Sequence, residues 1–60
     1  MSHDTLILED FYLGCDLEVW HIPGEDYFWY NRTYDMSGED HYGTKEDAIA
    51  AAKQYLNKLP

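Results

Sequence analysis

The sequence has one cysteine, Cys15, two prolines and only four basic residues among its 60 positions. A single cysteine excludes an intramolecular disulfide and any multi-cysteine metal cage, so a reducing cytosol is the expected compartment. Four Lys and Arg cannot make the basic face that binding to nucleic acid or to an anionic membrane requires. No apolar run approaches the ~18 residues of a membrane span. The start Met1-Ser2-His3-Asp4 has no basic leader segment, so a cytoplasmic chain is expected. Glycine-rich phosphate cradles, internal repeats and low-complexity tracts are missing as well.

The acids stand against this scarcity. Twelve Asp and Glu give a formal charge of −8, and their placement is one-sided. Residues 1–44 hold ten acids and one base, Arg32, for a net −9, whereas residues 45–60 carry +1. An excess of this size opposes compaction through self-repulsion. Ten aromatic residues, 17% of the chain, are nonetheless far more than a solvated acidic tail carries. A chain this short buries only ~60% of its unfolded surface, so one domain with nearly every large apolar side chain in use is expected.

The spacing predicts a helix from Lys45 to about Leu59. Thr44 stands at the N-cap, Glu46 and Asp47 lie in the first turn, and Lys53 and Lys58 lie toward the end, all favourable to the helix dipole. Ala48, Ile49, Ala52, Tyr55, Leu56 and Leu59 form one apolar stripe. From Phe11 to Val19 the chain alternates, with Phe11, Leu13, Cys15, Leu17 and Val19 on one face and Tyr12, Gly14, Asp16, Glu18 and Trp20 on the other, which predicts a half-buried strand. Pro23-Gly24-Glu25-Asp26 reads as a turn into an aromatic strand from Tyr27 toward Tyr34, and residues 36–43 read as a loop. Thr5-Leu6-Ile7-Leu8 is expected to add a third strand, turning at Glu9-Asp10; the alternative is a short helix capped by Asp4 and ended at Gly14. The expected fold is α+β, a single β-β-β-α domain whose three-stranded antiparallel meander is crossed by one helix.

No motif specifies a reaction. His3 and His41 lack metal-ligand spacing, and His21 beside Trp20 is expected to pack. Cys15 is expected to pack as a small hydrophobe, with Phe11, Tyr55 and one register of the aromatic strand, either Phe28 and Tyr30 or Tyr27 and Trp29, also in the core. No catalytic residue, cofactor or metal is expected. The Asn31-Arg32-Thr33 sequon reads as ordinary strand residues. Asp16 and Glu18 are separated by about 6.6 Å along one strand face, comparable to neighbouring phosphates on a nucleic-acid strand, and Glu25, Asp26, Asp35, Glu39 and Asp40 would extend their charge into a band. Some of Tyr12, Trp20, Trp29, Tyr34 and Tyr42 must be exposed, because neighbours on a strand point oppositely. Trp20, Trp29 and Tyr34 are therefore candidate aromatic anchors for a protein partner.

This acidic single domain, with Asp16, Glu18, Glu25, Asp26, Asp35, Glu39 and Asp40 on its sheet and loop side, resembles small phage-encoded inhibitors. It is most similar to anti-CRISPR proteins acting on type I systems, some of which mimic DNA. The resemblance implies a monomer in the cytoplasm of an infected bacterium, docked on a basic nucleic-acid-binding protein. That protein would be a Cascade subunit such as the one recognising the protospacer-adjacent motif, with block of target DNA as the outcome. Separately, Gly43-Thr44-Lys45-Glu46-Asp47-Ala48 and the alanine-rich stretch after it look like the strand-to-helix junction of HicB-type antitoxins and related β-β-β-α domains, although Asp47 intrudes between acid and alanine. That similarity implies the same fold and, for function, a toxin–antitoxin or regulatory module binding through an exposed aromatic face.

Overall fold

The computed structural model describes residues 4–24 and 26–58. Its chain runs β1 (Thr5–Tyr12), β2 (Cys15–His21), β3 (Tyr27–Asn31), β4 (Met36–Ser37) and α1 (Lys45–Lys58). The four strands form an antiparallel meander in sequence order, and the helix packs on one face of it. This is the expected α+β architecture with a short fourth strand added: β3 ends at Asn31, and Met36–Ser37 pairs with Tyr30 and Asn31 within the stretch read as loop. The N-terminal segment is a strand rather than a short helix.

The first hairpin turns four residues later than expected. Its corner is Leu13-Gly14 rather than Glu9-Asp10, with φ of 49° and 79° at the two residues, the positive values that a two-residue type I′ turn needs at both central positions. Across such a turn Tyr12 pairs with Cys15 and both point to the same side. The period-two pattern therefore changes face as it passes through the corner. Cys15, Leu17 and Val19 lie in the core as expected, whereas Phe11 is 66% exposed and Leu13 61% exposed. Both had been expected on the core face. β1 also carries a bulge at Ile7, between the pairs Leu6–Trp20 and Leu8–Val19, which increases local twist.

The core forms where the helix lies on the inward residues of β2 and β3. Cys15, Leu17 and Trp29 pack with Ala52 and Leu56, and Tyr12, Tyr42, Ile49, Ala51 and Tyr55 seal the margin. Ala48 and Ala52 are fully buried, so the helix approaches the sheet closely there. Trp29 and Tyr55 meet with ring centroids 5.4 Å apart. At the helix start Thr44 Oγ1 accepts the Asp47 N–H at 3.1 Å, the N-cap bond its position foretold. Leu59 of the predicted stripe lies outside the described residues, as does Glu25. Gly24 takes φ 76° in the second turn, whose closing bond runs from the Ile22 N–H to the Asp26 carbonyl at 3.0 Å.

Two substitutions test this packing. Leu13 occupies the left-handed region at a cost that asparagine largely avoids, so Leu13→Asn is expected to stabilise the fold by about 1 kcal/mol, raising Tm by about 5 °C in thermal melts followed by circular dichroism. Gly38 passes so close to the Trp29 indole that an added Cβ would lie 2.7 Å from Cε2. Gly38→Ala should therefore destabilise by about 1–3 kcal/mol, as overpacking of a core side chain does, and a denaturant midpoint checks it.

Candidate functional site

Because α1 covers the Cys15, Leu17 and Trp29 side of the sheet, the alternate residues of the strands form a second face that no element among the described residues covers. Strand register arranges that face in rows. Leu6, Trp20 and Phe28 lie side by side across three strands; the next row is Glu9, Glu18, Tyr30 and Ser37; beyond it Phe11 stands opposite Asp16. An apolar row thus borders an acidic one. Two open depressions follow these rows: one of about 310 Å³ lined by Asp4, Glu18, Trp20, Phe28 and Tyr30, the other of about 450 Å³ bordered by Glu9, Phe11, Asp16, Glu18 and Arg32 among others. Glu18 is common to both.

Glu18 is the unusual member. It is 8% exposed although charged. Its Oε1 accepts the Trp20 indole N–H at 3.0 Å. Its Oε2 lies 4.0 Å from an Arg32 guanidinium whose side chain is 69% exposed, a separation too long for a hydrogen bond. Glu9 stands directly across from it on β1, and like charges in opposed positions of a sheet are destabilising. At the edge of the same row the Tyr30 hydroxyl donates to the Asp35 carboxylate. That bond, together with desolvation and the Asp35 charge, raises the Tyr30 pKa above 10.0.

The acids predicted as one band are dispersed by the fold. Asp16 and Asp35 lie near the end of the sheet that carries the Leu13-Gly14 corner and the 32–35 turn, while Asp26 lies at the opposite end. Glu39 and Asp40 follow β4 toward that opposite end, where Tyr42 pairs with Tyr27. Asp16, Asp26, Asp35, Glu39 and Asp40 are all exposed. Glu18 shares its face with Asp16 as the alternation required, but burial removes it from a freely exposed band. Among the anchors, Tyr34 is exposed and Trp20 half-buried on the open face. Trp29 is not available as an anchor: at 4% exposure it fills the core, because its parity on β3 directs it toward the helix.

Sequence reasoning missed Leu6 and Glu9 as members of this face and left the register of Phe28 and Tyr30 open; the structure turns these two outward and Trp29 inward. The signal for Glu9 was its parity with Glu18 once the corner is set at Leu13-Gly14, and the two positive-φ residues that define that corner are not visible in a leucine. The sequon is closed to chemistry. Asn31 is fully buried, and its Oδ1 accepts the Tyr34 N–H at 3.0 Å. Among the described residues no group of three or more His, Cys, Asp or Glu is placed to hold a metal ion, and no helix is long and apolar enough to cross a membrane. No family model, curated protein or solved structure matches the chain.

The Tyr30–Asp35 bond gives a direct test of the row's geometry. Since the carboxylate favours the protonated phenol, its stabilising effect is present below pH 10 and is lost as pH rises through the raised folded-state value. Asp35→Asn should bring the Tyr30 ring titration, followed by NMR, down toward 10.0; an unmoved titration would show that the two side chains are not paired in solution.

Proposed function

We propose that this chain is a non-enzymatic inhibitor that imitates nucleic acid and occupies the basic nucleic-acid-binding surface of a host defence protein. An anti-CRISPR role against a type I Cascade subunit, blocking target DNA, is the specific form of the reading. The observation that carries it is the dispersal of exposed carboxylates, Asp16 and Asp35 near one end of the sheet and Asp26 at the other. Their ends are separated by roughly 20 Å, the length of β2, with Glu9 and Glu18 between them. Carboxylates spaced along a rigid sheet can pair with the Arg and Lys side chains that otherwise hold phosphates, and a field of one sign speeds encounter. The monomer is self-sufficient for this role, since the acids reach solvent without a second copy.

A second reading draws support from the uncovered Leu6, Trp20 and Phe28 row: a toxin–antitoxin or regulatory module that binds through its apolar face, the acids serving solubility. Salt dependence separates the two. A mimic should lose affinity steeply as salt rises, whereas an apolar interface should hold. For the first reading, purified Cascade bound to labelled target DNA should release it on addition of the wild-type chain. The double variant Asp16→Lys, Asp26→Lys should need about tenfold more protein or worse, with a nearly unchanged melting profile because both side chains are exposed. Equal potency of the variant would sink the mimicry.

A further inference from the structure

We infer that the open sheet face receives an arginine of a basic, extended protein segment, with the guanidinium between Glu9 and Glu18 and the aliphatic stem against Trp20, Phe28 and Tyr30. The inference rests on the acidic docking proposed above and names where that docking centres. Its first support is adjacency. The apolar depression and the acidic depression share Glu18 in their linings, and a side chain with an apolar stem and a cationic head is the kind of group that suits such a pair.

The second support is the loose pairing of the Glu18 carboxylate. Glu18 is a nearly buried carboxylate with one oxygen hydrogen-bonded to Trp20 and the other paired, among the described residues, with Arg32 at 4.0 Å, while Glu9 faces it across the strand pair. Arg32, at 4.0 Å and largely in solvent, answers this only in part. A planar guanidinium can bridge two carboxylates and lie flat on a ring at the same time, which an ammonium cannot do as well. The charge also selects the occupant. A second copy of this chain would bring another −8 against the same face, so the complementary surface is a basic one.

The test uses the whole isotope-labelled chain and a blocked synthetic peptide of alternating arginine and valine, with its lysine–valine counterpart as the comparison. On titration the Trp20 indole N–H and the amides of Glu9, Glu18 and Tyr30 should shift in NMR spectra, and the arginine peptide should bind several-fold more tightly than the lysine one. Glu18→Gln, which keeps an acceptor for the Trp20 N–H, and the exposed Glu9→Gln should each weaken binding about tenfold. Glu9→Gln should at the same time raise Tm of the free protein, because it removes a like-charge pair. A double Glu39→Gln, Asp40→Asn variant should bind within about twofold of wild type. Shifts centred on Asp26, Glu39 and Asp40, or equal affinity for the two peptides, would overturn the arginine slot and leave acidic docking standing. Absence of binding by either peptide would overturn both.

Discussion

The tight corner at Leu13-Gly14 sets the register on which the sheet depends. By pairing Tyr12 with Cys15 it aligns Leu17 with Asp10 and Val19 with Leu8 on the helix side, and it sets Glu9 against Glu18 on the other. A slip of one residue would exchange the two faces, taking Cys15, Leu17 and Val19 out of the core and carrying Glu18 into it. The helix then reads the result. Lys53 reaches Asp10 at 2.8 Å and lies 5.3 Å from the centre of the Tyr12 ring, while Asn57 and the Tyr12 hydroxyl exchange hydrogen bonds at 3.1 and 3.2 Å. The C-terminal half of α1 is thus fastened to the strand that the corner positions. Ahead of these contacts the helix rests on the small side chains Ala48 and Ala52.

With one helix for one sheet, the domain has a single buried layer, and the division of labour between its faces follows. The covered face holds the apolar and aromatic packing that a chain of this size needs. The other is free to carry what a core would not accept, including two carboxylates in opposed positions. Ten of the twelve acids lie in the first 44 residues and the helix carries three lysines, so most of the charge sits on the strands and turns, with Glu9, Asp16 and Glu18 on the face that α1 leaves open. That side joins charge and aromatic surface in one place, which is the combination found where proteins bind partners through a few well-placed anchors.

Most of the fold could be read from local chemistry. The cap at Thr44, the stripe through Ala48, Ala52 and Leu56, the turn at Gly24 and the inward parity of Cys15, Leu17 and Val19 each follow from residue type and spacing. The corner could not be read, because leucine is a poor signature for a positive φ and the alternation ran unbroken through it. Phe11 was assigned to the core for that reason. The site suffered more than the fold, since its defining relation, Glu9 beside Glu18 beside Tyr30, joins three strands and exists only once every register is known. Trp29 shows the same limit: propensity located its strand, and parity against the helix decided its face.

β1 has one further property. It is the outer strand of the sheet on its side, eight residues long with Leu6, Ile7 and Phe11 exposed. Such an edge invites another strand. The bulge at Ile7 and the field of the acids both oppose such pairing, and the field is the component that depends on solution conditions. Near the sequence pI of about 4.4 the net charge vanishes, so the net repulsion between copies falls away while the bulge remains. Colloidal behaviour is thus tied to the same carboxylates that define the binding surface, so neutralising them for any purpose also removes part of what keeps neighbouring molecules apart.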